Sequence, residues 1–254
     1  MAELTEQQAQ ELIFQDTQGD PVEFNESEII SKFSRLPNAK ITPESVCGPD
    51  GRVKVTATIA MPYKAICKLY MKGSSGGNYI GTGWLTHRNK LYTAGHCVYE
   101  RDLQGRAIGW MTSIIVVPAL SGLTEPYGRY QAVAITATRG WVEGGNHRYD
   151  MGAIKLSSSV SHSDLIKPSL GDPNRGEVCG YAGDRDTGIF QYRMEHSLVK
   201  VGGQFKYEID TFGGQSGSPL LQNSVIAVGI HNYGGCPNAA SDLYQSFIDT
   251  IDVW

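Results

Sequence analysis

Apolar and polar residues alternate along most of this chain in short runs, each closed by a cluster of Gly, Ser, Asn or Pro. A period of two sets one face of an extended strand against a core and the other toward water, whereas a period of 3.6 would mark helix. Runs at 53–59, 65–71, 83–86, 91–94, 113–118, 130–138 and 151–156 form a first set of predicted strands, separated by turn clusters such as Gly73-Ser74-Ser75-Gly76-Gly77-Asn78. A second set follows at 177–181, 190–199, 205–210, 218–221 and 225–231, and the stretch 165–176, with Pro168, Pro173 and two glycines, reads as the connection. Two consecutive sets of antiparallel strands predict an all-β chain of two barrels. Only the end of the chain changes period. Leu243, Phe247, Ile248 and Ile251 fall on one helical face behind the N-cap candidate Ser241, so a C-terminal helix packed on the second barrel is expected.

Composition supports this picture. Thirty glycines in 254 residues, about 12 % against an average of ~7 %, suit many tight turns and little helix. Charge separates one region from the rest: residues 1–45 hold nine acidic and three basic side chains, and the remainder carries a net charge of +2. A segment so rich in Glu and Gln cannot bury enough apolar surface for a core of its own, so it is expected to be a tail or a removable leader. Asn25-Glu26-Ser27 within it is a lone glycosylation sequon. The nearly neutral remainder has no basic run or aromatic–basic ladder, so no nucleic-acid partner is expected. No run approaches the ~20 apolar residues of a membrane span, and Met1-Ala2-Glu3-Leu4-Thr5-Glu6 shows neither the basic nor the apolar region of an export signal. Five cysteines at 47, 67, 97, 179 and 236 lack C-x-x-C pairing, so no structural metal is expected, and the odd number leaves at least one thiol outside an intrachain disulfide.

The candidate chemistry lies in three short segments. Gly213-Gly214-Gln215-Ser216-Gly217-Ser218-Pro219 reads as a serine nucleophile in a glycine turn, with the amides of Gly214 and Ser216 facing a developing oxyanion. A serine hydroxyl is a poor nucleophile at neutral pH and needs a base, which must itself be oriented. Leu91-Tyr92-Thr93-Ala94-Gly95-His96-Cys97-Val98 supplies His96 at a strand end, and Asp150 directly precedes an alternating run from Met151 to Leu156. The order is His, Asp, Ser with gaps of 54 and 66 residues, so long-range folding must gather them. An α/β-hydrolase would require G-x-S-x-G with a histidine after the acid and the serine. Position 218 is instead Ser, and only His231 follows. Asp164 and Asp186 are competing acids, but neither leads into an apolar strand. His87, His147 and His162 have polar neighbours and are expected to be exposed.

T-A-G-H-C around His96, Y-D-M-G-A-I around Asp150 and G-G-Q-S-G-S-P around Ser216 together resemble the chymotrypsin-like serine proteases. Within them, Gly48-Pro49-Asp50-Gly51-Arg52-Val53-Lys54-Val55, Thr82-Gly83-Trp84-Leu85, Asp210-Thr211-Phe212 and Gly229-Ile230-His231-Asn232 resemble the glutamyl endopeptidases of the staphylococcal V8 and Bacillus type, over roughly residues 46–254. The resemblance implies two six-stranded antiparallel barrels with a C-terminal helix, divided as 46–164 and 165–254 behind the segment 1–45. It implies a secreted, monomeric serine endopeptidase that acts on polypeptides without a cofactor, with His96, Asp150 and Ser216 as its triad in an interbarrel cleft. Thr211 and His231 would hold a substrate glutamate, with Asn232 beside them. A protease of other specificity and a catalytically silent binding module are the alternatives.

The resemblance also shapes expectations for the cysteines and for activation. Gly81 stands where relatives often have a cysteine, leaving Cys97 without its usual partner, with Cys67 or none in its place, and Cys47 with Cys179 is the pairing that position suggests. Gln215 precedes the serine where many trypsin-like enzymes place an aspartate that pairs with a new N-terminus. Relatives use the mature terminus near the pocket instead, and alignment puts it at about Val46, with cleavage near Glu44, Ser45 or Val46. His196 is a further candidate for a relay behind His231, with packing as its competing role.

Overall fold

A computed structural model of the chain describes residues 3–17, 45–102 and 104–254. The sequon at Asn25 and the cleavage candidate Glu44 lie outside the described residues. The first part of the chain forms helix α1 (Glu6–Gln10) and strands β1 (Leu12–Asp16), β2 (Val53–Lys54), β3 (Ile66–Lys72), β4 (Asn78–His87), β5 (Lys90–Thr93), β6 (Tyr99–Arg101), β7 (Ala107–Trp110), β8 (Ser113–Pro118), β9 (Tyr130–Thr138) and β10 (Gly152–Leu156), with the short helix α2 (Arg139–Val142) after β9. The second part contributes β11 (Lys167–Pro168), β12 (Arg175–Gly180), β13 (Tyr192–Ser197), β14 (Val199–Val201), β15 (Gln204–Tyr207), β16 (Pro219–Asn223), β17 (Ile226–Tyr233), β18 (Asn238–Asp242) and helix α3 (Gln245–Val253).

In the first sheet β9, β10, β5, β4, β3 and β8 pair in that order, and β8 also pairs with β9, so six antiparallel strands close into a barrel. Long registers hold it, from Ile66 opposite Trp84 to Lys72 opposite Asn78 and from Cys67 opposite Pro118 to Lys72 opposite Ser113. Leu69, Trp84, Leu91, Ile114, Val116, Ile135 and Ile154 fill it and are fully buried. At roughly 1.5–3 kcal/mol for each such side chain removed from water, this core dominates the favourable side of folding. The second sheet runs β14, β15, β18, β17, β16, β12, β13, β2, with β11 parallel to β17, and its two end strands do not pair with each other. Val178, Leu198, Phe205, Tyr207, Ile209, Leu220, Val228 and Ala240 form its own core.

Several local expectations are corrected. The run 53–59 yields only the two residues of β2, after which Val55 donates to Gln191 O and the chain turns toward Pro62, which has no N–H for a ladder. Ser241 is not a helix cap: it lies in β18, its hydroxyl donates to His147 O, and the residue before α3 is Tyr244. Nor does α3 keep to the second sheet. Phe247 meets Tyr92 of β5 edge-on at 4.9 Å, and Lys90 Nζ donates to Ile251 O at 2.8 Å, because the apolar face of the helix finds its cover on the first barrel. The disulfide is Cys47–Cys236, not Cys47–Cys179. Cys47 N donates to Asp210 Oδ1 at 2.7 Å, which brings it beside the loop after β17, whereas Cys179 is buried inside β12 with its thiol on Gln191 Oε1. Cys67, Cys97 and Cys179 are buried free thiols, and a Cβ built on Gly81 would stand 3.0 Å from Cys97 Sγ, so the space beside Cys97 is where a cysteine at 81 would reach.

Candidate active site

Strand β5 ends at Thr93 and the chain turns through one 3-10 turn, Gly95–Cys97, that presents His96. The turn needs glycine at 95, where a Cβ would lie 2.8 Å from Asp150 Oδ1. Asp150 closes another 3-10 turn, His147–Tyr149, held by the Asn146 side chain accepting from Arg148 N. The two turns meet: His96 N donates to Asp150 Oδ1 at 2.7 Å and His96 Nδ1 lies 2.7 Å from Oδ2. An ionised carboxylate only accepts, so Nδ1 carries the imidazole proton and Nε2 is the basic nitrogen. Asp150 is fully buried, which by itself would raise its pKa, but His96 and the donors around it hold the carboxyl below its ordinary value. Burial likewise opposes charge on His96, yet the Asp150 carboxylate outweighs it and carries the imidazole well above its usual pKa. The His96 side chain keeps 27 % of its surface exposed, so its far edge is accessible.

The Ser216 turn is clamped between the sheets. Thr82 of β4 donates from N to Ser216 O and from Oγ1 to Gly214 O, while His231 of β17 accepts from Gly217 N at 2.7 Å and donates to Ser218 O at 2.9 Å. Cys97 Sγ donates to Ser216 O at 3.7 Å, so Ser216 stands against the residue next to His96. Gly217, at φ +88°, passes so near β4 that a Cβ would come within 2.1 Å of Thr82 O, which only glycine permits. Gly213 O accepts from Gly183 N and Gln215 O from Ser218 N. Because each trans peptide sets N–H opposite C=O, the amides of Gly214 and Ser216 point away from those acceptors. Two amides in one turn beside a serine can together stabilise an oxyanion.

Thr211 and His231 lie beneath this turn, both fully buried. Tyr207 hydroxyl bonds His231 Nδ1 at 2.7 Å and fixes the ring, a place His196 does not take. Thr211 Oγ1 is shut off from solvent and has no hydrogen-bond partner among the described residues. Thr211 N donates to Ser45 O at 3.3 Å, and Asn238 bonds Ser45 on both its N–H and C=O, so the chain just ahead of Val46 rests against this threonine. Asn232 is placed otherwise than expected: its side-chain nitrogen donates to Asp150 O and its oxygen accepts from Ser241 N, which ties it to the acid rather than to the pocket. Tyr233, next to it, was not legible as a site residue; its hydroxyl donates to Asp150 Oδ2 and its ring stacks on His147 at 4.2 Å. The competing acids face elsewhere, Asp164 on Lys64 and Asp186 on Lys54. His147 is exposed as expected, whereas His87 and His162 are half-buried.

The chain as a whole is similar to known proteins. No family model matches the chain. A protein of Bacillus subtilis named "Extracellular metalloprotease" is 30 % identical over 226 residues, covering 84 % of this chain and 71 % of that one. Glutamyl endopeptidase of Bacillus licheniformis is 30 % identical over 234 residues, covering 83 % and 69 %. A solved Glu endopeptidase with MPD bound superposes with a TM-score of 0.70 at 30 % identity, over 82 % of this chain and 98 % of that one. The chain belongs to the glutamyl endopeptidase family. It is therefore a serine endopeptidase of chymotrypsin-like fold that acts on polypeptides. The metal in the name of the Bacillus subtilis relative finds no donor set here: among the described residues no three His, Cys, Asp or Glu side chains stand together as ligands would.

Proposed function

We propose that this endopeptidase cleaves after glutamate through an acyl-enzyme, with His96, Asp150 and Ser216 as its triad. Ser216 Oγ attacks the scissile carbonyl as His96 Nε2 takes its proton, and Asp150 holds the imidazolium that forms. The oxyanion is received by the Gly214 and Ser216 amides. His96 then gives the proton to the leaving amine, and water, deprotonated by the same imidazole, hydrolyses the ester. Secretion fits the reading: one relative is named extracellular, and no helix among the described residues is long and apolar enough to cross a membrane.

The observation that carries the specificity is the Thr211 hydroxyl, buried beside the nucleophile turn without a partner among the described residues. A buried hydroxyl with nothing to bond costs stability, so a site that keeps one is suited to a ligand that completes it. A glutamate carboxylate would accept from Thr211 and from His231. Residues 47–51 are pinned nearby, with Cys47 N and Gly51 N on the two oxygens of Asp210 and the disulfide to Cys236. Cleavage ahead of Val46 would release an α-amino group one residue from that anchor, against Thr211, as a third donor. Gln215 is a neutral amide bonded to Phe212 N and cannot take the role of an activating aspartate. In peptides that differ only at P1, Glu should be cleaved about 10- to 100-fold faster than Gln, the scale of one hydrogen bond to a charged group. Equal rates for Glu, Gln and Leu would refute the assignment. Acetylation of the new terminus should weaken glutamyl cleavage.

A further inference from the structure

The acidic segment is not simply a tail. Thr5 and Gln8 form a reciprocal capping box that starts α1, and β1 then pairs antiparallel with β9 from Leu12 opposite Thr138 to Asp16 opposite Ala134. That edge of β9 has no other cover among the described residues. β8 reaches only Tyr130 and Gln131, while β10 occupies the opposite side over 132–137. Without β1, residues 134–138 of β9 would present bare N–H and C=O groups, the kind of edge that folded proteins protect. Further bonds reinforce the pairing: the Thr136 hydroxyl donates to Ile13 O at 2.7 Å, the Thr17 hydroxyl to Ala132 O at 2.6 Å, and the main-chain Arg139 N to Glu11 O at 2.7 Å.

The same segment touches the elements around the acid. Glu6 pairs with Arg148 at 2.6 Å, two residues before Asp150, and Glu11 pairs with Arg139 at 2.7 Å, at the start of α2. Helix α2 carries Trp141, whose ring meets His96 edge-on at 6.2 Å. On the other side Tyr244 hydroxyl donates to Gln10 O and Phe14 packs on Trp254 at 5.3 Å, so the segment also joins α3 to the barrel.

We propose that residues 5–17 are a permanent seventh strand and brace of the enzyme, which stays on β9 when the peptide bond ahead of Val46 is hydrolysed, so that the active form consists of two chains. The retention part rests on the processing reading above; the docking part does not. Hydrogen exchange of the intact chain, read by mass spectrometry, should show the Ile13, Gln15 and Thr17 amides, which the register turns toward β9, protected far beyond an unstructured peptide, and exchange as fast as such a peptide would overturn the docking whether or not the chain is ever cut. After processing, native mass spectrometry should find the N-terminal fragment bound to the 46–254 body. An active body that has lost the fragment overturns retention. If no cut ahead of Val46 is found, the processing reading and retention fall together, while the exchange result still decides the strand. Ile13→Pro, which breaks the β1 ladder, should release the fragment and lower turnover several-fold. Glu6→Gln with Glu11→Gln, both at the surface, should speed fragment loss without unfolding the body, and an unchanged dissociation rate would remove the ion pairs from the account.

Discussion

The acid–base pair and the pocket beneath the nucleophile turn are both buried, yet their polar atoms are treated in opposite ways. Asp150 receives two donors from His96 and one from Tyr233, with Asn232 on its main-chain oxygen, so the pair is complete without substrate. In the pocket Thr211 Oγ1 and the side-chain nitrogen of Gln215 are buried without partners among the described residues. A satisfied network specifies one geometry, whereas an unsatisfied one carries a cost that a ligand can remove. On the proposed reading the two sites divide the work: the first barrel, with Asn232 and Tyr233 of β17, fixes a proton-transfer unit in advance, and the pocket presents groups that substrate and a new chain end would complete. This contrast fits an enzyme whose chemistry is prebuilt and whose specificity is switched on late.

The largest expected effect tests the prebuilt half. Asp150→Asn should lower kcat by about 10⁴-fold, since an amide cannot hold the imidazolium and favours the wrong tautomer. The pH profile gives the sign. His96 must be neutral to act as base, and its pKa is raised by Asp150 against the opposing effect of burial, so the acid limb of kcat/KM should lie above the ordinary histidine value of about 6.5. In the variant the pull of the carboxylate is gone while burial still opposes the charge, so the limb should move downward. A limb that stays in place would separate Asp150 from the titration of His96. For stability the pair works in the other direction: a raised His pKa stabilises the fold fully below about 6.5, and that contribution is lost as pH rises through the folded value.

The pocket half predicts a smaller and more selective loss. Thr211→Val keeps the volume and removes the hydroxyl, so cleavage after Glu should fall about 10- to 100-fold while cleavage after Leu stays near its low starting value. Stability should hold or rise, because a buried hydroxyl without a partner is replaced by a methyl group. A parallel loss for every P1 residue, or a lower melting temperature, would show that Thr211 is part of the frame and would erase the contrast between the two sites.

Much of this was legible in the sequence because it is local. The strand runs, the glycines at 95, 214 and 217 and the order of His96, Asp150 and Ser216 are carried by short segments whose backbone demands are visible in residue type. What escaped depends on contacts between distant segments. Tyr233 reaches Asp150 across 83 residues, and no spacing rule indicates that a hydroxyl next to Asn232 will turn toward the acid. The partner of Cys47 was set by Asp210 binding its N–H, a contact that cysteine positions do not encode. The N-terminal strand hid in an acidic composition, although Thr5-Glu6-Gln7-Gln8 ahead of the apolar Leu12-Ile13-Phe14 is a helix-start signature followed by a strand-like run, and would have revealed it. Composition judged whether the segment could build a core, not whether it could join one.

The finest test asks whether the network around the acid extends to Tyr233. Tyr233→Phe removes one donor from Asp150 Oδ2 and leaves the ring that stacks on His147. Because the two His96 donors remain, the loss in kcat should be only about tenfold, the lower end for a hydrogen bond to a charged group. Its direction in pH is opposite to that of Asp150→Asn. With one donor fewer the carboxylate attracts the imidazolium more strongly, so the His96 pKa should rise and the acid limb should move upward. A shift downward, or a rate loss with no shift, would mean that the hydroxyl does not act on Asp150 and that the prebuilt unit ends at the two His96 bonds.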